Sequence, residues 1–371
     1  MIQQRHLLHV FSTFAPGGPQ VRTVRLMEGL GKKYRHTVVA MDCNYQCAGR
    51  LSSSVQVEYR DPPKLSAALT TPWVLSRFLR EINPHLLLTY NWGAIESIPG
   101  ARLAGLRHVV HAEDGFGPEE VVRLKLRRVL LRRLFFPLVR QVVVPSRFLE
   151  DILKNVWRVP GDKQCYIPNG IDTEHFSPGN RSAARQQLGL EDNDFLVGTV
   201  ATFRKEKSLD FLIRAVSEAR QHCPIKLLLV GEGPEEEKLR HLVKERNLQD
   251  YVIFPGHVVD PVHFYQAMDL FALSSTTEQM PISVVEAMSC ATPILSTDVG
   301  DVRSMVSAEN QPWIQQGRDE LKYGKFLVEL LHNPSLRNDL GQANRQKCLD
   351  EFQEKTMLDA YDKIYVENSS I

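Results

Sequence analysis

Short apolar runs alternate with stretches of helical spacing along nearly the whole chain, and this alternation limits the fold more than any other feature. Leu7–Phe11, Thr37–Met41, His85–Thr89, His108–Ala112, Val142–Val144 and Tyr166–Ile167 read as strands. Helical stretches such as Val21–Leu30, Pro72–Ile82 and Arg147–Asn155 lie between them. The second half continues with Phe195–Val200, Ile225–Val230, Tyr251–Gly256, Leu270–Leu273 and Ile294–Ser296. Strand and helix in alternation imply an α/β fold, with parallel sheets covered by helices on both faces. A chain of 371 residues has room for two such domains of about 150–200 residues each.

Ligands of such sheets bind beyond the carboxyl ends of the strands, so the segments that follow strands are where chemistry is expected. The first is Ala15-Pro16-Gly17-Gly18-Pro19. Its two glycines let a ligand approach the backbone, although a plain tight turn would use the same residues. It is not a GxGxxG fingerprint and implies no dinucleotide. The run Arg107–Val110 ends at His111, with Glu113 and Asp114 just beyond. A histidine there is placed equally well for chemistry and for a structural hydrogen bond. After Phe195–Val200 come Arg204, Lys205 and Lys207. Cations in a strand-to-helix loop can neutralise a diphosphate, whereas an isolated basic loop is by default solvated.

The most informative stretch is Glu278–Asp301, EQMPISVVEAMSCATPILSTDVGD. Glu278 sits in a loop after an apolar strand. Pro281 opens a helix, because its missing N–H has no partner there anyway. Glu286 falls in the second turn, and Thr292-Pro293 stops the helix before a buried strand. Free N–H groups near Ile282 and Ser283, at the positive end of a helix dipole, make an anion site. A phosphate at the helix start with a carboxylate on either side for hydroxyl groups suits a nucleotide-sugar. Taken singly, each Glu would also fit a charge–dipole pair or a solvated helix face.

One segment is unusually basic. Residues 121–149 hold eight Arg or Lys and no acid, and Val122, Leu126, Leu130 and Leu134 recur every fourth residue. Lys125, Arg128 and Arg132 run along another side. A basic amphipathic helix can lie on an anionic bilayer surface or bind a phosphorylated acceptor. The plainer alternative packs the apolar stripe on the sheet and leaves the arginines in solvent. The net charge of +1 gives no whole-chain field pointing to nucleic acid. Six cysteines without CxxC spacing fit free thiols in a reducing cytosol. The N-terminal apolar run is too short to span a membrane and fits a first strand.

These motifs, in this order, resemble retaining GT-B glycosyltransferases of family GT4. The specific part is EQMP…EAM…P…TDVGD, which resembles that family's E-x7-E motif. The GG loop, the strand-end His, Ile167-Pro168-Asn169-Gly170-Ile171-Asp172, the EK loop and Gly231-Glu232-Gly233-Pro234 resemble the family pattern as well. The usual Gly after the first Glu is Gln279 here, which puts the usual contacts near the donor sugar in doubt.

The resemblance implies a GT-B architecture, two Rossmann-like domains with a cleft between them and a C-terminal helix crossing back. Residues 1–170 would bind acceptor, 171–352 the nucleotide-sugar, and 353–371 would return to the first domain, with a hinge near Asn169-Gly170. It implies catalytic roles for His111, Glu278 and Lys207. It implies donor contacts from Gly17, Gly18, Arg204, Lys207, Gly231, Phe254, Glu278, Ile282, Ser283 and Glu286, with Glu278 on the sugar and Glu286 on the ribose. Glu113 and Asp114 are candidates for the acceptor. The expected reaction is retaining transfer from a UDP- or GDP-sugar to a saccharide or lipid-linked acceptor. No metal or other cofactor is expected, because the cations can carry the leaving charge. The expected location is cytoplasmic, peripheral at the inner face of the cytoplasmic membrane through residues 121–149. A nucleotide-sugar epimerase of the same fold, a phosphorylase and a non-catalytic membrane-binding protein remain as alternatives.

Overall fold

The computed structural model describes residues 4–65, 70–116, 120, 124–191 and 194–369. The chain forms two compact units: the first spans Met1–Asn169 and Lys355–Ile371, the second Gly170–Glu354.

The first unit is built on seven parallel strands: β1 Arg5–Phe11, β2 Tyr34–Ala40, β3 Val57–Tyr59, β4 Leu86–Tyr90, β5 Val109–Ala112, β6 Gln141–Val144 and β7 Gln164–Tyr166. Their order is β3-β2-β1-β4-β5-β6-β7. The order reverses between β1 and β4, so the loop after β1, with Gly17 and Gly18, stands at the switch point where such sheets hold ligands. Successive side chains of β1 point to opposite faces. Leu7 and Phe11 pack with Val24, Met27, Met357, Tyr361 and Tyr365. Leu8 and Val10 pack on the other side with Leu79, Ile98, Leu149 and Trp157. The terminal helix Glu354–Asn368 thus supplies part of one core layer. The Tyr34 hydroxyl donates to Asp362 at 2.7 Å, and the Tyr34 and Tyr365 rings meet edge to face at 5.5 Å.

The second unit has six parallel strands: β8 Phe195–Val200, β9 Ile225–Val230, β10 Val252–Gly256, β11 Leu270–Leu273, β12 Ile294–Thr297 and β13 Ile314–Gln315. Their order is β10-β9-β8-β11-β12-β13. Here the reversal falls between β8 and β11. The loops that follow these two strands carry Lys207 and Glu278, so the sheet topology itself brings the two candidates side by side.

The basic segment differs from its sequence pattern. Its helix runs only over Leu126–Phe135; a short turn and β6 take up most of the rest, and Val121–Arg123 lie outside the described residues. Leu126, Leu130 and Leu134 face solvent, at 71%, 53% and 62% exposure. The buried side carries Val129 and Arg132. Neither face packs as the plain alternative expected. Arg132 can be buried because Glu113 and Glu120 accompany it and the rings of Trp92 and Trp157 lie 5.1 and 4.7 Å from its guanidinium carbon. Those partners come from other segments, so the helix period could not reveal them.

Candidate active site

In the second unit, the loop after β8 and the loop after β11 are tied together before any charge is considered. The Thr276 amide donates to the Glu206 carbonyl at 2.8 Å, and the Ser274 hydroxyl to the Lys207 carbonyl at 3.0 Å. Arg318 clamps them further, donating to the carbonyls of Ser274 and Ser275 and to the Ser208 hydroxyl. On this frame the Lys207 ammonium donates to Oε1 of Glu278 at 2.6 Å. The Ser275 hydroxyl donates to the same oxygen at 2.7 Å. Among the described residues nothing bonds Oε2.

The later part of the motif supports this loop. The Thr297 hydroxyl donates to the Ser275 carbonyl at 2.7 Å, and the Asp301 amide to the Gln279 carbonyl at 2.9 Å. Gly300 has φ +52°, and a Cβ there would stand 2.4 Å from the Glu278 carbonyl oxygen. Only glycine allows the two backbones to come so close. The helix that follows runs over Ile282–Ser289, with Pro281 at its cap position and no side chain capping it. Its first amides, at Ile282 and Ser283, have no acceptor within the helix. Glu286 lies one turn in, buried, and accepts a hydrogen bond from the Tyr265 hydroxyl at 2.8 Å.

The remaining donor candidates have clear places. Gly231 has φ +133°, and any Cβ would collide with the Ala201 carbonyl oxygen 1.9 Å away. The Phe254 ring is half-buried, edge-on to Phe203 and covered by Arg240. Arg204 is exposed at the start of the short turn Lys205–Lys207. Arg318 was missed from sequence, because it follows β13, the shortest strand, and belongs to no motif. The only signal available was its place just after Gly317, a turn residue beyond the short run Trp313-Ile314.

In the first unit, Gly17 is extended and precedes the helix Gly18–Leu30. A Cβ on Gly18 would meet nothing within 4 Å. His111 is the penultimate residue of β5 and is fully buried. Its Nδ1 lies 2.8 Å from the Thr89 hydroxyl and its Nε2 3.2 Å from Glu113, so both ring nitrogens are engaged. Glu113 also receives two bonds from Arg132, at 3.1 and 3.0 Å. Burial alone would raise the Glu113 carboxyl; the Arg132 charge and the bonds from His111 and Arg132 outweigh it and hold it below the usual range. Asp114 pairs with the buried Arg22 through both oxygens, and Arg22 also reaches the side chain of Asn169. The two acids read as acceptor ligands are therefore already committed inside the unit. Buried carboxylates hold their charge only with such partners.

Two family models match the chain. One, Glycosyl transferases group 1, covers residues 180–347; the other, Glycosyltransferase Family 4, covers residues 16–175. The chain belongs to glycosyltransferase family 4. This family-4 chain is 28% identical over 306 residues, 78% of each protein, to the GDP-mannose-dependent alpha-(1-6)-phosphatidylinositol monomannoside mannosyltransferase of Mycolicibacterium smegmatis. It is 24% identical over 199 residues to the N-acetyl-alpha-D-glucosaminyl L-malate synthase of Bacillus anthracis, a match over 54% of this chain and 52% of that protein. The chain thus spans about half the length of that curated relative. Its fold is that of the GT-B protein Alr3699/HepE of Anabaena, solved in complex with UDP. The TM-score is 0.83 at 18% identity, covering 98% of this chain and 100% of that one.

Proposed function

We propose that the protein is a retaining glycosyltransferase that moves a sugar from a UDP- or GDP-sugar to a saccharide or lipid-linked acceptor during envelope or exopolysaccharide glycan assembly. The observation that carries this reading is the Lys207–Glu278 pair at the switch point, beside an uncapped helix N-terminus and eight residues before Glu286. Lys207 and the amides of Ile282 and Ser283 take the charge that builds on the departing diphosphate, with Arg204 beside them. Glu278 holds a sugar hydroxyl through its free oxygen, and Glu286 holds the ribose. Gly231 and Phe254 shape the nucleotide side, and Gly17 and Gly18 leave room at the other unit's switch point. His111, Glu113 and Asp114 act as positioning residues, fixing the end of β5 through Arg132 and Arg22. Catalysis of this kind is positioning and charge stabilisation, and it works without a metal ion, so a chelator leaves the rate unchanged.

The membrane part of the proposal rests on Leu126, Leu130 and Leu134 standing exposed beside Lys125 and Arg127. The mycobacterial relative's name includes a phosphatidylinositol acceptor, which supports a lipid-linked acceptor here. The test is turnover with a panel of nucleotide-sugars and acceptors, reading the anomeric configuration of the product by NMR. Transfer with retention, lost in Glu278→Gln, is the expected result. Donor converted to an isomer without acceptor would replace transferase by epimerase. Absence of both turnover and nucleotide binding would leave the membrane-binding reading.

A further inference from the structure

A cavity of about 510 Å³ opens in the first unit, lined by Arg102, Arg107, Arg140 and Lys163 and by no carboxylate. Its position follows from the sheet. Arg107 stands two residues before β5, Arg140 one residue before β6, and Lys163 one residue before β7. These three strands are neighbours in the order β5-β6-β7. Adjacent strands lie about 4.8 Å apart, so a row of cations about 10 Å long runs along the amino edge of the sheet. That edge is opposite to the carboxyl end of the sheet, where Gly17, Gly18 and His111 lie.

The charges are not compensated within the protein. Among the described residues, no carboxylate or other side-chain bond engages Arg102, Arg107 or Arg140. The Lys163 ammonium donates to the carbonyls of Pro137 and Val139, which pins it and leaves one of its three N–H groups over. Arg102 has a partial account in the last turn of the helix Ser97–Ala104, where a cation meets the negative end of the dipole. Lys163 has its two carbonyls, and Arg107 and Arg140 have no such account. Like charges gathered in a concavity repel, and the arrangement is favourable when an anion sits among them. Arginine forks match phosphate oxygens in particular.

We infer that this cavity binds a phosphate group, and that the phosphate is that of an anionic lipid headgroup. The choice of lipid comes from the rim. Leu138, at the end of the turn Phe136–Leu138 that follows the helix with the exposed Leu126, Leu130 and Leu134, lines the cavity. On the other side, Leu103 next to Arg102 is 41% exposed. Exposed apolar side chains flanking a phosphate site serve a ligand with acyl chains and do nothing for a free phosphate. The assignment rests on the proposed membrane association only for this choice of ligand.

The test uses the full-length protein in three arms. The first titrates short-chain, monomeric phosphatidylglycerol, the second inorganic pyrophosphate, and the third sediments the protein with vesicles with and without phosphatidylglycerol. The variants are Arg107→Glu with Arg140→Glu in the cavity, and Leu126→Ser with Leu130→Ser and Leu134→Ser on the stripe. The thermal midpoint of each variant reports its folding. The expected result is saturable binding of the short-chain lipid that weakens at least tenfold in the cavity variant and survives in the stripe variant. Pyrophosphate binding as tightly as the lipid would overturn the lipid assignment. No saturable binding of either ligand, or equal binding by the cavity variant, would overturn the site. Vesicle binding lost only in the stripe variant would leave the membrane association standing without the cavity.

Discussion

Lys207 in this structure is already neutralised by Glu278, and that decides how the pair works. A diphosphate entering beside the ammonium can displace part of the Glu278 interaction while the Ser275 hydroxyl still holds the carboxylate. Both side chains are partly exposed, so the pair adds under ~1 kcal/mol to stability. In the proposed transfer its value lies in where charge develops as the diphosphate leaves. Lys207→Ala should therefore lower kcat/KM by about 10²–10³-fold with little change in thermal midpoint. Lys207→Arg, which keeps the charge but not the compact ammonium, should recover part of the loss. Steady-state kinetics beside thermal denaturation checks both, and a large fall in midpoint with unchanged kinetics would reassign the pair to structure.

A second residue-scale prediction concerns acid. His9 and His36 are buried side by side, Nε2 to Nδ1 at 3.0 Å, and Nε2 of His36 is buried without a partner. Burial, with the neighbouring His6 adding to it, lowers the His36 imidazole to about 4; burial, with His36 and His6 adding to it, pushes His9 well below its ordinary value. In the unfolded chain each takes up a proton near 6.5. Between these values the unfolded state binds more protons, so stability is full above about pH 6.5 and falls as the pH drops toward 4. For His36 alone the gap corresponds to about 3 kcal/mol. The urea midpoint should drop between pH 7.5 and 5, and His36→Gln should flatten that drop. A wild-type midpoint independent of pH over this range would falsify the idea.

At the scale of elements, the buried helix residues are the ones that matter. Arg132 sits at 0% exposure with Glu113 against it. Removing one partner of such a pair leaves a buried charge alone and costs about 3–5 kcal/mol, whereas replacing both by neutral groups costs less. Arg132→Met should destabilise strongly, and Glu113→Gln with Arg132→Met should regain part of the stability; chemical denaturation of the three proteins measures it. The same element shows what the sequence could and could not reveal. Most strands were legible because a short apolar run between turn residues can bury its side chains in few ways besides a sheet. The edge strand Val57–Tyr59 was not, because it is short and half-exposed, with Glu58 in its middle. The leucine period marked a helix correctly but not its inward face. That face was chosen by Glu113, Glu120 and two tryptophans, long-range partners that no local period contains. Of the candidate site, the resemblance named Glu278, Glu286 and Lys207, and the strand-end position of two of them is what lets Lys207 meet Glu278. Arg318 was not, because its role exists only once β8, β11 and β13 have been placed in one sheet.

At the scale of the molecule, the proposed nucleotide contacts fall almost entirely within one compact unit. Arg204, Lys207, Gly231, Phe254, Glu278 and Glu286 all belong to Gly170–Glu354. Binding of a free nucleotide should then be insensitive to changes in the first unit that reduce turnover. Gly18→Leu tests this separation. A Cβ there meets nothing within 4 Å, although a Cβ on the residue before Pro19 is less at ease in a helix and should lower the thermal midpoint slightly. UDP, GDP and ADP are each titrated against wild type and variant. A nucleotide at about 100 times its Kd stabilises by about 2.7 kcal/mol, a shift of a few degrees for a chain of this size. The expected outcome is one nucleotide that shifts both proteins equally, with transfer by the variant reduced at least tenfold. Glu286→Gln should show the reverse order of effects, losing the nucleotide shift first. If Gly18→Leu abolishes the shift, the first unit takes part in holding the nucleotide itself, and the second unit's switch point is not a sufficient site.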